Sequence, residues 1–381
     1  MFRFWNSRHP AMTLARAVVL AFGGWWLIKN FALAQLPASI EWPLTDFEQR
    51  SVDLDSITSG GPPKDGIPAI DDPKFVSVAQ ANSFVLPDEP VVTVSVNAEY
   101  RAYPLSILIW HEIVNDQIGD LPVTITFCPL CNATLVFDRR VGDQVLDFGT
   151  TGRLRKSDMV MYDRQTQSWW QQFTGVGIVG KMTGIELKRV PASIVAFADF
   201  DKAHPNGKVL SRETGHTRSY GENPYRGYDQ IGNSPFLFFD ALDPRLPPME
   251  RVLNITVDTT HKLYPFSAFK AQTVINDTVA DKPVLILSRI GTLSVLDQSQ
   301  IGKSRKIPSA TAFGRRIDGE TLDFFVDNAA IFDQQTRSTW NILGQAIAGP
   351  LSGAQLEPLD SGVHFAFAWL AFRPESIIYK R

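Results

Sequence analysis

Alternating hydrophobic and polar positions recur along most of this chain, and this pattern predicts β-strands. The clearest runs are rich in β-branched and aromatic residues and cover residues 91–96, 123–127, 135–138 and 159–162. Hydrophobic residues at helical spacing are rarer and predict two short helices, over residues 104–115 and 197–205. Because turns are frequent and strands do not alternate regularly with helices, we predict a β-dominated α+β fold built from antiparallel sheets.

Two parts of the chain match one another in sequence. Residues 91–105 (VVTVSVNAEYRAYPL) align with residues 252–266 (VLNITVDTTHKLYPF) at a constant offset. Further along the chain, residues 161–168 align with residues 331–338. Because only two copies are present, we predict two tandem pseudo-repeats of one domain rather than a solenoid.

This duplication divides the chain into segments. The stretch between the copies is rich in Gly, Pro, Tyr and Asp and has no clear periodicity, which predicts a long loop or linker. We therefore predict an N-terminal extension over residues 35–65, a first repeat over 66–216, a linker over 217–249 and a second repeat over 250–374.

The N-terminus has the features of an export signal. Three arginines precede an apolar run over residues 17–28, and residues 32–34 (ALA) form a small-x-small cleavage pattern. We predict that residues 1–34 are a signal peptide. The alternative is an uncleaved membrane anchor over residues 17–36, which a lysine and an asparagine interrupt. Either way, we expect the protein in the periplasm, or anchored to the inner membrane and facing the periplasm.

The charge of the chain limits its partners. The formal net charge is −3, and the first 34 residues carry four basic residues and no acidic ones, so their removal leaves −7. A mildly acidic body without a basic run does not favour nucleic-acid binding. We therefore expect no nucleic-acid partner, and the N-terminal segment is the feature that predicts membrane anchoring.

Both cysteines of the chain lie in one motif, Cys128-Pro129-Leu130-Cys131. The motif separates two predicted strands, so both sulfur atoms are expected at the tip of one hairpin, as in small zinc and iron sites. A thioredoxin-type Cys-x-x-Cys opens a helix instead, which makes a thiol–disulfide oxidoreductase the weaker hypothesis. A third hypothesis is a non-enzymatic ligand-binding or scaffold protein with a structural disulfide. Whether the protein is an enzyme stays open, and Cys128 and Cys131 are the catalytic candidates if it is a redox enzyme.

A metal bound by two cysteines normally needs further ligands. The candidates are His111 and His204, since both lie on predicted helices of the repeat that carries the cysteines. The second repeat lacks all four residues, because Arg289, Thr292, Gln272 and, less securely, Arg373 stand at the aligned positions. Thiolate and imidazole ligands suit copper, zinc or iron. The leading hypothesis is therefore an exported protein that binds one of these metals through the cysteine hairpin, for metal handling or redox chemistry. Another route to four ligands is a homodimer in which two chains share their cysteine pairs.

Several strings in the first repeat resemble one known family. They are residues 66–71 (GIPAID), 101–105 (RAYPL), 111–116 (HEIVND), 127–131 (FCPLC) and 158–164 (DMVMYDR). Together they closely resemble an exported bacterial family known as domain of unknown function 3179. Family members usually have Gly at the position of Asn132, which is a mild departure. The resemblance implies export and a domain that covers most of the mature chain, and it implies no particular activity.

Overall fold

A computed structural model describes residues 38–380 of the chain. The predicted signal peptide or anchor, residues 1–34, lies outside the described residues. Within the described part, no helix is long and apolar enough to span a membrane.

Short strands dominate the structure, with a few short helices between them. The α-helices of the described residues are α1 (Ala38–Glu41), α2 (Val78–Ala81), α3 (Leu105–His111), α4 (Phe197–Ala203) and α5 (Ala366–Phe372), and 3₁₀ turns cover Leu54–Ser56, Ala268–Lys270 and Ile301–Lys303. The strands before the long loop are β1 (Ile57–Ser59), β2 (Phe75–Ser77), β3 (Pro90–Val96), β4 (Glu99–Pro104), β5 (Ile113–Ile118), β6 (Leu121–Cys128), β7 (Ala133–Asp138), β8 (Arg140–Val141), β9 (Gln144–Val145), β10 (Phe148–Arg155), β11 (Asp158–Asp163), β12 (Trp169–Gln171), β13 (Val176–Val179), β14 (Ala192–Ala196) and β15 (Lys208–Leu210). Those after it are β16 (Arg251–Val257), β17 (Thr260–Pro265), β18 (Val274–Val279), β19 (Lys282–Leu293), β20 (Lys306–Gly314), β21 (Arg316–Ile317), β22 (Glu320–Thr321), β23 (Phe324–Asp327), β24 (Ala330–Asp333), β25 (Thr339–Trp340), β26 (Ala346–Ala348), β27 (Ser361–Phe365) and β28 (Ile377–Ile378).

The strands form several small sheets, and almost all of their pairings are antiparallel. Parallel pairing among the named strands occurs where β15 joins β4 and where β28 joins β17. The predicted β-dominated, antiparallel fold class is therefore confirmed. All four predicted strand segments lie within β3, β6, β7 and β11.

Strand order is similar in residues 66–216, here called the first half, and residues 250–374, the second half. The order β14-β3-β4 corresponds to β27-β16-β17, and β5-β6-β7 corresponds to β18-β19-β20. The run β10-β11-β12-β13 likewise corresponds to β23-β24-β25-β26. Two pseudo-repeats would produce this correspondence, and the duplication itself, with its domain boundaries, stays a prediction.

The helix predicted over residues 104–115 is shorter than expected. It covers Leu105–His111, and Glu112 ends it with a left-handed backbone at φ 59°. Ile113 and Val114 then pair with β6. The prediction was wrong at this end because apolar residues in a short buried segment fit either a helix or a strand.

The two halves share their hydrophobic cores. The largest buried cluster contains Ile125 and Phe127 from the first half together with Phe365 and Trp369 from the second. The backbone N–H of Phe365 also donates a hydrogen bond to the carbonyl of Cys131, at 2.9 Å. The second half thus covers the hairpin that carries the cysteines.

The long loop between the halves covers that hairpin from another side. Residues 211–250 contain no helix or strand in the described structure. The linker over residues 217–249 stays a prediction. Its Tyr228 hydroxyl donates a hydrogen bond to the carbonyl of Leu130, at 3.1 Å. The linker and strand β27 consequently both cover the cysteine motif.

Candidate metal centre

The cysteine motif forms the tip of the β6–β7 hairpin, as the sequence predicted. Cys128 pairs with Ala133, and Asn132 takes a left-handed backbone at φ 49° that closes the turn. Both cysteines are free thiols, and the exposed fraction of each is no more than 2%.

A second hairpin brings a carboxylate to the two thiols. Asp158 is the first residue of β11, directly after the turn that follows β10. One of its carboxylate oxygens and the sulfur atoms of Cys128 and Cys131 all lie within 4.8 Å of one another. Among the described residues, this is the one group of three cysteine, histidine or acidic side chains arranged so closely.

Hydrogen bonds hold the Asp158 carboxylate through one of its two oxygens. Its Oδ2 accepts hydrogen bonds from the Gln171 amide, at 2.7 Å, and from the Phe173 backbone N–H, at 2.9 Å. Its Oδ1 is buried and has no hydrogen-bond partner among the described residues. Because buried polar atoms in proteins are nearly always paired, Oδ1 is a candidate ligand atom.

The turn before Asp158 also faces the sulfur atoms. Lys156 and Ser157 both take left-handed backbones, with φ 54° and φ 65°, which makes the turn between β10 and β11 tight. The Ser157 carbonyl lies 3.4 Å from the Cys131 sulfur and 4.0 Å from the Cys128 sulfur and accepts their S–H bonds. The turn therefore fixes the two thiols and Asp158 relative to one another.

The two thiols and the Asp158 carboxyl are buried acids, each of which becomes negatively charged when it loses its proton. Burial, above all, raises the pKa of both thiols, most for Cys131, and the Asp158 carboxylate raises them further. Burial also raises the pKa of Asp158 to about 7. Ionised acids in an apolar interior are costly unless a positive charge compensates them. A metal cation would supply that charge.

Glu112 is a further acidic residue beside the group. Burial, and then the charge of Asp158, raise its pKa to about 8, while the neighbouring Tyr225 hydroxyl lowers it. The Glu112 carbonyl accepts a hydrogen bond from the Phe127 N–H, at 2.8 Å and next to Cys128 in sequence, and the Glu112 carboxyl raises the pKa of Cys128. Its left-handed backbone ends α3, as is common at the C-terminus of a helix.

The two predicted histidine ligands do not belong to this group. The Nδ1 of His111 lies 2.8 Å from the Pro68 carbonyl, and its Nε2 lies 2.7 Å from the Tyr220 hydroxyl. Since a carbonyl only accepts, Nδ1 donates and Nε2 accepts, so both ring nitrogens are occupied. His204 stacks on Tyr100 with ring centroids 3.7 Å apart. Burial lowers the pKa of both histidines to about 4.

A pocket of about 510 Å³ opens beside the candidate centre. Glu112 lines it together with Leu130, which lies between the cysteines, and Met159, which follows Asp158. The other described residues that line it are Gly60, Pro62, Ile67, Thr150, Gly152, Arg153, Leu154, Pro224, Tyr225, Arg226, Gly227, Tyr228, Asn233 and Phe236. The pocket thus lies between the N-terminal extension, the first half and the linker.

Sequence reasoning missed Asp158 and Glu112 as site residues. Both lie in strings that carry the family resemblance, residues 158–164 and 111–116. Their position in these strings indicated that they matter to the family. It did not distinguish them from the residues of the same strings that have structural roles. Asp158 comes to the cysteines only through the packing of two hairpins.

Comparison with protein families identifies the chain. The model of a family described as "Protein of unknown function (DUF3179)" matches residues 64–376, which is most of the sequence. The chain belongs to this family. Searches of curated proteins and of solved structures find no match. Membership in DUF3179 confirms the resemblance seen in the sequence and supplies no activity.

Proposed function

We propose that this DUF3179 protein binds one transition-metal ion through the sulfur atoms of Cys128 and Cys131 and a carboxylate oxygen of Asp158. The observation that carries the proposal is the buried Asp158 carboxylate, one oxygen of which lies within 4.8 Å of two buried thiol sulfurs. Metal binding would deprotonate the thiols and compensate the acidic groups with a positive charge. The same arrangement without a cation leaves a buried acceptor unsatisfied, which costs about 1–3 kcal/mol.

The ligand set favours zinc among the copper, zinc and iron that the sequence allowed. Zinc accepts both thiolate sulfur and carboxylate oxygen as ligands. Copper(I) prefers soft ligands throughout, and the Asp158 oxygen is a hard one. The sulfur atoms are buried between two hairpins and strand β27, so we propose a centre within one chain rather than one shared in a homodimer.

Thiol–disulfide exchange is the second hypothesis from the sequence, and the site gives it less support. A reactive thiol needs a lowered pKa, from a nearby cation or a helix N-terminus. Here burial and acidic neighbours raise the pKa of both thiols, and a strand follows Cys131 instead of a helix. A scaffold protein with a structural disulfide is the third hypothesis, and the experiment below separates both disulfide hypotheses from the metal centre.

The location of the protein is part of the proposal. We propose an exported protein, periplasmic or anchored to the inner membrane by its N-terminal segment, because residues 1–34 have the pattern of an export signal. An exported metal centre could handle metal ions or use one in chemistry outside the cytoplasm.

The decisive experiment is elemental analysis of the full chain, purified from the exported fraction without chelator. We expect about one metal ion per chain and two titratable thiols after denaturation in chelator. Replacing both cysteines, as C128S/C131S, should remove the metal while circular dichroism shows a retained fold. Metal content that is unchanged in this variant would refute the proposal. A metal-free protein without free thiols would support the disulfide hypotheses instead.

A further inference from the structure

Exposed apolar side chains are concentrated in one stretch of the linker, residues 231–242, here called the apolar loop. Phe239 is 77% exposed, the highest value among the large hydrophobic residues of the described chain, and Phe236 is 48% exposed. Ile231 and Leu242 are exposed as well. Such a concentration of exposed apolar residues marks a surface that contacts another protein or a membrane.

The apolar loop is attached to the body of the protein on both sides of its exposed residues. Phe238 packs against Phe367 of α5, with ring centroids 5.3 Å apart. The Phe236 backbone N–H donates a hydrogen bond to the Tyr228 hydroxyl, at 3.1 Å. These contacts hold the loop in one place while Phe239 and the Phe236 side chain stay exposed.

The charge of the apolar loop favours lipid as its partner. Asp240 is its one charged residue, and it pairs with Lys156 of the β10–β11 turn at 3.1 Å. An unpaired charge is costly to remove from water, and this loop carries none. A bilayer surface takes up apolar side chains without needing specific polar partners on the protein.

The N-terminal segment limits which side of the protein can face a bilayer. The predicted anchor covers residues 17–36, its apolar run ends at Ile28, and the described structure begins at Ala38. Even from Ile28, the chain to Ala38 spans at most about 36 Å when fully extended. A folded chain of this length has a radius of gyration of about 20 Å and hence a diameter of roughly 50 Å. Ala38 consequently does not lie on the side of an anchored body that faces away from the bilayer.

Contacts along β10 connect the start of the described chain to the apolar loop. Glu41 accepts a hydrogen bond from Arg153 of β10, at 3.1 Å, and Arg153 and Phe236 line the same pocket. Lys156, directly after β10, holds Asp240 of the loop. The N-terminal extension and the apolar loop therefore meet at one strand, so an anchor that brings the extension to a bilayer also brings the loop there.

We propose that the apolar loop docks on the periplasmic surface of the membrane that holds the N-terminal segment, with Phe236, Phe239 and Leu242 among the lipid headgroups and upper acyl chains. This inference rests on the proposed anchoring and adds a second point of membrane contact. Insertion is limited to the side chains, because the backbone N–H and C=O groups of an irregular loop need water or protein partners. Two contacts fix the orientation of the body on the membrane.

The test uses the full chain in phosphatidylcholine vesicles, with p-benzoylphenylalanine in place of Phe239. On illumination this residue bonds covalently to C–H groups that it contacts, and mass spectrometry identifies the product. We expect a phospholipid adduct at position 239. The matched control carries the same residue in place of Ile347, which is exposed on β26 and adjoins a core cluster other than the one that Phe238 contacts. The control should form no lipid adduct.

A second variant tests whether the neighbouring residue inserts as well. Phe236→Ser should lower the phospholipid adduct at position 239 about tenfold, because the loss of one buried phenylalanine changes a partition equilibrium by at least that factor. An unchanged yield in this variant, equal lipid adducts at positions 239 and 347, or no adduct at all would overturn the inference. Cross-links between two chains in place of lipid adducts would identify a dimer interface and overturn it too.

Extraction with alkaline carbonate distinguishes these failures from a failure of the anchor. A chain that stays with the vesicles but forms no lipid adduct at position 239 retains the anchoring and refutes the docking of the loop. A chain that is extracted into the soluble fraction refutes the anchoring and the inference together. The metal content of the same sample reports on the metal centre independently.

Discussion

Corresponding hydrogen bonds stabilise the first half and the second half of the molecule, each within itself. The Tyr103 hydroxyl donates to Asp116 in the first half, and the Tyr264 hydroxyl donates to Asp277 in the second. Three more hydrogen bonds of the first half have a counterpart in the second. Trp170 donates to Asp163 as Trp340 donates to Asp333, and Asn115 donates to the Phe148 carbonyl as Asn276 donates to the Phe324 carbonyl. Arg139 likewise donates to Asp147 as Arg315 donates to Asp323. These polar contacts belong to the framework of the fold.

The residues of the candidate centre are present in the first half alone. The pairing of β5 with β6 and of β18 with β19 aligns Glu112 with Thr273 and Cys128 with Arg289. Arg289 is 58% exposed and forms an ion pair with Asp199 across the surface. The second half therefore has the same strand pairing at this place and lacks the acidic groups.

Asp158 has no counterpart in the second half because the hairpin that carries it is longer. Phe148 pairs with Asp163 and encloses fourteen residues, whereas Phe324 pairs with Asp333 and encloses eight. The additional residues include the bulge after Thr150 and the tight turn that ends at Ser157. Comparing the halves thus separates the residues that hold the fold from those that form the site.

The largest expected effect is the loss of metal binding when Asp158, in the longer β10–β11 hairpin, is replaced. Asp158→Asn should weaken metal binding more than about a hundredfold, since even the partners of metal ligands contribute 10–100-fold. Asp327→Asn is the matched control, because Asp327 lies at the tip of the shorter hairpin. Isothermal titration with Zn²⁺ measures both. Equal affinities of the two variants would mean that Asp158 is not a ligand.

The next effect concerns Glu112 and pH in the metal-free protein. Burial holds the pKa of Glu112 at about 8, above its ordinary value of 4.5, so the folded state binds a proton that the unfolded state has lost. Its contribution to stability is therefore present below pH 4.5 and is lost as the pH rises to about 8, by about 1.4 kcal/mol per pH unit.

Glu112→Gln does not titrate, so its free energy of unfolding relative to the wild type should rise between pH 5 and pH 8. Urea unfolding at the two pH values measures this difference. Glu186→Gln, at an exposed position, serves as the control and should follow the wild type. A pH dependence shared by wild type and Glu112→Gln would show that Glu112 is not held in its acid form.

The tryptophan–aspartate hydrogen bonds of the two halves should contribute equally to the stability of the protein. The indole N–H of Trp170 donates to Asp163 at 2.9 Å, and that of Trp340 donates to Asp333 at 2.9 Å. Trp170→Phe and Trp340→Phe should each lower the free energy of unfolding by about 2 kcal/mol, because each leaves a buried carboxylate short of a donor. Thermal unfolding compares them. A large loss in one variant alone would contradict the equivalence of the two frameworks.

The smallest effect is expected at the residue that orients Asp158. The Gln171 amide donates to Asp158 Oδ2, so Gln171→Met should weaken Zn²⁺ binding about tenfold while retaining the metal site. Asn341 stands at the corresponding place and bonds to Gln345 instead. Asn341→Met is therefore the control and should not change metal affinity. Unchanged affinity in Gln171→Met would show that the Phe173 N–H alone positions the carboxylate.

Much of the fold could be predicted because it depends on local patterns. Alternation of period two identified β3, β6, β7 and β11, and the polar, Gly-rich and Pro-rich linker has no regular element. The cysteine hairpin was predictable for the same reason, since both its strands and its turn residues are adjacent in sequence. The end of α3 was not, because the left-handed backbone of Glu112 gives no hydrophobic signal.

By itself, the sequence of this DUF3179 protein determined the fold class, four strands of the first half and the place where two thiols meet. The tertiary structure decided what those thiols face. Asp158 lies 27 residues after Cys131 and reaches it because one hairpin tip packs on another, and Tyr228 comes from the linker. The histidines that sequence spacing nominated instead bond to Pro68 and Tyr220 or stack on Tyr100. Hydrophobic periodicity fixes which face of a strand is buried, whereas the pairing of distant hairpin tips depends on the packing of the whole core.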